Sequence, residues 1–303
     1  MKDIDGKVAF ITGGASGLGL GMAQAFVRAG MKVVVADIQR EHLEEAATVL
    51  KGAGSKVHFL RLDVMDRSAF AQAADETVRV FGKVHVLCNN AGVGQSALTE
   101  DATYEDWDWT LGVNLGGVVN GVVSFLPKLR AHGEGGHIVN TSSMAGLIPL
   151  PGAGGIYSTS KFAVRGLSDS LRLNLGQYNI GVSSLCPGLT RSRIMQSEKT
   201  RPANFQPKTA RPTARILESG DPNGVSTLNA GMDPVELGER VLNGIRRNDA
   251  YILTHGEFKE EVRELFEEIL AAFPAEGTED PGRLRFEALR REMTAAAKAR
   301  QTR

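Results

Sequence analysis

The stretch Lys7-Val-Ala-Phe-Ile-Thr12-Gly-Gly-Ala-Ser-Gly-Leu-Gly19 carries an apolar, β-branched run (residues 7–11) straight into a glycine-rich turn, and a helix-period pattern follows to about Ala29. Strand, glycine turn and helix in this order seat a dinucleotide pyrophosphate on the helix N-terminus, where unpaired N–H groups and the helix dipole favour negative charge. In that arrangement Gly13 permits the tight turn, Gly17 lets the backbone approach phosphate, and Gly19 lets helix and strand pack closely.

Residues 33–37 are the next apolar run, and Asp37 ends it. An acidic residue here bonds the adenosine ribose hydroxyls and repels a 2′-phosphate. The glycine turn holds no basic residue, so the pattern favours NAD over NADP; Arg40, close enough to reach a phosphate, speaks for NADP. Asp37 could alternatively cap a helix over residues 40–50, because Asp is a common N-cap. Strand-like and helix-like patterns then alternate over residues 56–62, 66–81, 84–88, 104–130, 137–142, 157–178 and 181–186. The strands are continuous apolar runs, as expected where both faces of a parallel sheet are covered. This alternation predicts an α/β fold, a single doubly wound parallel sheet with helices on both faces and its ligand crevice at the strands' C-terminal ends. Asp233-Pro234 opens a further helix, with proline at a favourable first position, and residues 251–254 supply a seventh strand.

At 303 residues, with 42% hydrophobic and 23% charged, the chain has ample material for a core. Lys+Arg and Asp+Glu both number 35, so a neutral balance gives no electrostatic case for nucleic acid or an anionic membrane. The first residues lack the apolar core of a signal peptide, and no run reaches the length of a membrane span, residues 116–126 coming nearest. Cys88 and Cys186 fall in strand candidates and read as buried thiols of a reducing cytosol. Neither has His or Cys neighbours, and the six histidines show no ligand spacing. A cytoplasmic protein without a metal is the expectation.

Tyr157 and Lys161 stand four apart at the start of the 157–178 pattern, on one face of a helix. A neighbouring ammonium favours a phenolate, so the pair is a candidate acid/base for an alcohol or carbonyl. An amphipathic helix with one exposed lysine is the plain alternative. Together with Thr12-Gly-x-x-x-Gly-x-Gly19, Asn89-Asn-Ala-Gly92, Asn114 and Ser143, the chain from about Lys7 to His255 resembles the short-chain dehydrogenase/reductase family. The resemblance implies a Rossmann-type fold and a nicotinamide-dependent alcohol dehydrogenase or ketone reductase. It implies Tyr157 as proton-transfer residue and Lys161 as the group that lowers its pKa and binds the nicotinamide ribose. Ser143 would hydrogen-bond the substrate oxygen, and Asn114 would hold a water linking Lys161 to solvent. On the cofactor side it implies Gly13, Ser16, Gly17, Leu18 and Gly19 at the phosphates and Asp37 at the ribose. Asp63 and Val64 would bracket the adenine, Asn90, Ala91 and Gly92 would line the cleft, and Pro187, Gly188 and Ser192 would meet the nicotinamide. Read from the residues alone, Asn114 could instead bond backbone inside its helix, and Asp63 could cap the next helix. Ser142 competes with Ser143, which alternation along residues 138–143 favours.

Two departures mark the chain. The Ser143–Tyr157 loop is one residue longer than the family's, through Pro149-Leu-Pro-Gly-Ala-Gly-Gly155, and Ser192 replaces the common threonine. Residues 191–232 have no sustained period and occupy the position of the family's substrate lid. Residues 1–255 are thus the expected dehydrogenase domain and 256–303 a helical extension. Its first helix carries Phe258, Val262, Leu265, Phe266, Ile269 and Phe273 as an apolar stripe; a mostly polar one follows over 281–298. The extension and long lid resemble bacterial Cα-dehydrogenases that oxidise benzylic alcohols of lignin-type β-aryl ethers. A bulky aryl secondary alcohol is therefore the expected substrate. The alternatives are a non-catalytic dinucleotide sensor or a steroid, polyol or acyl-thioester reductase, the last drawing on Lys199, Arg201, Lys208 and Arg211 near the lid. A homodimer or homotetramer is expected, as is usual in the family.

Overall fold

Along the first strand, β1 (Val8–Thr12), every residue is buried, and neighbours look to opposite sides. Ala9 and Ile11 join one core cluster and Phe10 joins the other. That is the requirement of a strand covered on both faces, and it explains the unbroken apolar run. The computed structural model describes residues 1–94, 97–208, 230–274, 277 and 280–302. Its sheet continues with β2 (Lys32–Asp37), β3 (Val57–Arg61), β4 (Val86–Asn89), β5 (Gly136–Thr141), β6 (Ile180–Cys186) and β7 (Tyr251–Leu253). All seven are parallel, in the order β3-β2-β1-β4-β5-β6-β7. The order reverses between β1 and β4, which opens a crevice beyond Thr12 and Asn89.

Helices α1 (Gly17–Arg28), α2 (Arg40–Val49) and α7 (Pro234–Arg247) cover one face, through residues such as Met22, Phe26, Ala46, Leu237 and Val241. The other face takes α3 (Arg67–Phe81), α5 (Gly117–Ala131) and α6 (Gly155–Leu175). There Phe10 meets Phe125 with ring centroids 4.4 Å apart, and Phe70 stands edge-on to Phe125. Each such ring contributes about 2–3 kcal/mol through burial. Asp233 caps α7 by accepting hydrogen bonds from Val235 and Glu236, with Pro234 in the first turn as expected.

The structure corrects one expectation and adds two features. The uninterrupted helix over 104–130 is broken: α4 (Tyr104–Leu111) passes through a π turn, Gly112–Gly116, before α5 begins. A π turn has no compositional signature, and such turns concentrate at functional sites. Tyr104–Ala131 is also long and apolar enough, by length and composition, to cross a membrane, though it packs within the domain through Trp109, Val118, Phe125 and Leu129. Finally, His85, His132 and Glu134 gather within 4.8 Å at the opposite end of the sheet from the crevice. Their ring nitrogens are taken. His85 Nδ1 accepts from Val8 and its Nε2 donates to Glu134, while His132 Nε2 donates to the Val84 carbonyl and its Nδ1 accepts from Glu134 N. Lys83 and Lys7 complete the network and, with His85, hold the Glu134 carboxyl below its ordinary range. This is a hydrogen-bonded knot that ties strand ends together. Cys88 and Cys186 are buried free thiols, pushed up by burial.

The extension forms α8 (Lys259–Ala271) and α9 (Pro281–Ala299). The first half of the α8 stripe packs on the domain: Phe258 and Val262 sit on Met144, Leu147 and Cys186, Leu265 is half-buried, and the Phe266 ring lies 6.0 Å from the Arg165 guanidinium. The chain end is anchored separately, Gln301 Nε2 donating to the Arg172 carbonyl and Asn248 Nδ2 to the Gln301 carbonyl at 2.6 Å.

Candidate active site

The crevice holds a cavity of about 460 Å³ that runs from Asp37 past the glycine turn to Tyr157 and on under residues 187–202. Its floor is the turn between β1 and α1. Gly13 and Gly17 have φ of +58° and +46°, in the left-handed region that favours glycine. A Cβ on Gly17 would stand 2.8 Å from Ser192 Cβ, so the side that faces the crevice must stay bare. Gly19 does its work behind the turn, where a Cβ would reach 2.0 Å from the Gly13 carbonyl oxygen. Thr12 and Asn90 set the shape. Thr12 Oγ1 accepts from the Asn90 and Ala91 amides, and Asn90 Nδ2 donates to the carbonyls of Thr12 and Gly13. The cradle thus offers the bare backbone and helix N-terminus that a dinucleotide pyrophosphate requires.

At the adenosine end Asp37 is buried, accepting from Gln39 N at 3.0 Å and Ala15 N at 3.3 Å. Burial pushes its carboxyl up, opposed by the Gln39 amide and by His42, whose ring nitrogen is 3.9 Å away. Helix α2 is capped by Gln39 without a side-chain bond, so Asp37 is not its cap. His42 lines the cavity where Arg40, exposed on α2, does not. Asp63 accepts from Met65 N and lines the cavity with Val64, whereas the cap of α3 is Asp66. Both cap readings therefore fall.

At the other end the ammonium of Lys161 lies 5.4 Å from the centre of the Tyr157 ring. It donates to the Thr141 carbonyl at 3.0 Å, and burial lowers its pKa to about 8. The expectation that Lys161 holds the phenol down is not met here. Burial pushes Tyr157 up, and the hydroxyl of Ser143 is the neighbour that opposes it. Desolvation of a phenolate outweighs an ammonium already turned to a carbonyl. Ser143 faces the cavity and caps the short turn Met144–Gly146. Ser142 is committed to the Lys161 carbonyl at 2.7 Å, whereas Ser143, which accepts from Ala145 N, donates to the Pro187 carbonyl only at a long 3.4 Å, a contact that a ligand oxygen in the cavity can replace. Asn114 sits inside the π turn, fully buried. Its Oδ1 accepts from Val93 N, and its Nδ2 donates to the Val93 carbonyl and to Ser160 Oγ. Both amide atoms are spent on position. Ser16, Leu18, Ala91, Gly92, Pro187, Gly188 and Ser192 all line the cavity; of the residues singled out, only Gly19 and Asn114 stand behind it.

Several contributors escaped sequence reading. His255 Nδ1 accepts from Gly188 N and its Nε2 donates to the Leu189 carbonyl, which fixes the loop after β6. Thr190 and Met232 form a parallel bridge that ties together the two ends of the 191–232 segment. The described part of that segment crosses the crevice. Arg193 pairs with Glu45 at 2.7 Å, Ser197 Oγ accepts from Gly94 N, and Arg201 reaches α4. There Arg201 and Asp106, with side chains 0% exposed, form an ion pair at 2.7 Å, and the guanidinium stacks 4.8 Å from the Trp109 ring. Trp109 walls the cavity, with Val93, Leu189, Ile194, Met195 and Pro202 supplying further apolar surface. Of the four cations weighed for thioester phosphates, Arg201 is neutralised, Lys208 is beside Glu105, Lys199 lines the cavity, and Arg211 lies outside the described residues.

Known proteins resemble this chain in sequence and in fold. Residues 7–203 match the family model described as short chain dehydrogenase. The "C alpha-dehydrogenase" of Sphingobium sp. (strain NBRC 103272 / SYK-6) is 40% identical over 295 residues, 95% of this chain and 94% of that protein. A short chain dehydrogenase/reductase from Burkholderia phymatum, solved in complex with NAD, is 35% identical, with a TM-score of 0.82 over 92% of this chain and all of that one. The apo form of LigO from Sphingobium sp. strain SYK-6 is 40% identical, with a TM-score of 0.76 over 97% of this chain and 98% of that one.

Proposed function

We propose that this chain, an oxidoreductase that belongs to the short-chain dehydrogenase/reductase family, oxidises a secondary alcohol with a bulky aryl substituent, or reduces the matching ketone, with NAD. The carrying observation is that Ser143, Tyr157 and Lys161 meet where a dinucleotide-shaped cradle opens onto the apolar wall of Trp109, Ile194 and Met195. The nicotinamide supplies hydride acceptance or donation when bound. Everything else falls to the chain. Ser143 orients the substrate oxygen by hydrogen bond, and Tyr157 takes the hydroxyl proton in oxidation or returns it in reduction. Lys161 keeps a positive charge beside that proton, positioned by the Thr141 carbonyl. Asn114 holds the Val93 loop and the start of α6 in register through Val93 and Ser160. Because burial raises the free phenol, oxidation should accelerate through the alkaline range, where phenolate accumulates, and reduction should be favoured towards neutral pH.

Asp37 supports NAD over NADP: its buried carboxylate lies where a 2′-phosphate would come, and Arg40 does not line the cavity. The aryl preference follows from the apolar wall and from the likeness to the Sphingobium enzyme over nearly its whole length. We place the protein in the cytoplasm on its two free buried thiols, and assign it a homo-oligomer. The test is absorbance at the reduced-nicotinamide band with NAD or NADP and a panel of secondary alcohols. NAD reduction with aryl carbinols is expected, and Tyr157→Phe should abolish it while NAD still binds. Undiminished turnover in that variant would sink the mechanism, and turnover with NADP alone would sink the reading of Asp37.

A further inference from the structure

The apolar stripe of α8 is used over only half its length. Phe258 and Val262 are packed, Phe266 is 41% exposed, and further along Leu270 and Phe273 are 67% and 69% exposed. Helix α9 presents a second unused strip: Phe286, Leu289 and Met293 fall within one face and are 71%, 56% and 67% exposed. Residues spaced by three and four line one side of a helix, so both strips are continuous surfaces. The two helices do not pack on one another over any length. Large aligned apolar side chains of this kind mark an interaction surface.

The charges say what covers it. Helix α8 carries five glutamates against Lys259 and Arg263, whereas α9 carries Arg283, Arg285, Arg290, Arg291 and Lys298 against Glu287 and Glu292. The extension therefore bears an acidic apolar helix and a basic apolar helix. In a two-fold contact, a patch that meets its complement does so twice. We infer that this surface docks a second copy of the chain, the tip of α8 from each protomer lying against α9 of its partner. Like-with-like pairing would set glutamates against glutamates, and the opposite-charge arrangement fixes register and steers association. An anionic membrane would draw α9 but repel α8. The contact would also lie beside the site: α8 starts after Phe258, whose ring would be 2.8 Å from a Cβ on Gly188, a residue of the cavity.

The test is a charge swap read by sedimentation velocity and light scattering on the full chain. Glu261 and Glu268 flank the α8 strip, and Arg285 and Arg290 flank that of α9. E261K/E268K alone and R285E/R290E alone should each weaken self-association about tenfold or more at low salt, with the defect shrinking in high salt. The four-fold variant E261K/E268K/R285E/R290E, in which each helix carries the other's sign, should recover it. Leu270→Ser with Phe273→Ser should weaken association at every salt concentration. NAD binding and the circular dichroism spectrum serve as folding controls. A monomeric wild type overturns the inference. So does an oligomer that ignores every variant, a four-fold variant no better than either half, or a monomer captured by anionic vesicles.

Discussion

Cutting the link between Arg201 and Asp106 should release the segment over the crevice without unfolding the sheet. Both side chains are wholly buried and paired at 2.7 Å. Arg201 also donates to the Phe205 carbonyl and stacks on Trp109, yet one of its terminal nitrogens finds no partner among the described residues. Removing one member of a buried pair costs about 3–5 kcal/mol, because the survivor is left charged in a poor dielectric. Arg201 belongs to a segment whose ends are tied at Thr190 and Met232, so that cost falls on local opening. At about 1.4 kcal/mol per tenfold, 3 kcal/mol raises the open fraction by roughly two orders of magnitude. Arg201→Met should therefore raise the KM for a bulky alcohol strongly and that for NAD little. It should also expose residues 191–208 to protease and shift Trp109 emission to the red, measured with Trp107→Phe to isolate the signal. Asp106→Asn, which keeps an oxygen for the cap at Thr103, should act similarly, and the double variant should fall short of the sum by about 1–3 kcal/mol. Additive single effects with an unchanged alcohol KM would refute the idea that this pair holds the segment down.

Three further outcomes follow from the same chemistry. His137 is fully buried, its Nε2 bonded to Ser183 and its Nδ1 without a partner among the described residues, and burial lowers its pKa to about 3. The unfolded chain, with a histidine near 6.5, then binds the extra proton first. Stability should be intact above about pH 6.5 and fall by about 2 kcal/mol on reaching pH 5, a slope that urea titrations should find flattened in His137→Gln. Lys161 is held charged at neutral pH against a burial that lowers it to about 8, so Lys161→Met should gain about 1–2 kcal/mol in thermal unfolding, after loss of the donor to Thr141, while turnover disappears. Equal or lower stability would show that the amine is better solvated than its burial implies. Gly19→Ala would put a methyl 2.0 Å from the Gly13 carbonyl, so calorimetry should show NAD binding weakened at least tenfold, and wild-type affinity would mean the turn can move aside.

How far the sequence reached differs by element. Parallel strands buried on both faces print themselves as apolar runs, so each of the seven lies within two residues of its expected place. The cradle was legible because Gly13 and Gly17 need a backbone that other residues resist. Four-residue spacing put Tyr157 and Lys161 on one face, but spacing says nothing of where an ammonium turns, and it turned to Thr141. His42, Trp109 and His255 were invisible, and Arg201 was read in another role, because their meaning lies in partners far along the chain. The charge on Arg201 suggested a phosphate-binding group near the lid; its burial is decided by Asp106, 95 positions earlier. His85, His132 and Glu134 converge for the same reason, and their knot could be read only from where each ring nitrogen points.

The π turn at Gly112–Gly116 works as a phase adjuster. A wider turn takes up one extra residue, and one residue is about 100° of rotation in an α-helix. Upstream of it, Asp106 and Trp109 aim at the segment over the crevice; downstream, Phe125 and Leu129 pack on the sheet. Deleting a single residue there would leave a straighter, better-bonded helix and a worse enzyme. Asp106 would swing away from Arg201 while every strand stayed in place. Single-residue insertions and deletions in this five-residue window therefore retune the angle between scaffold and cover, a form of variation that substitution alone does not reach.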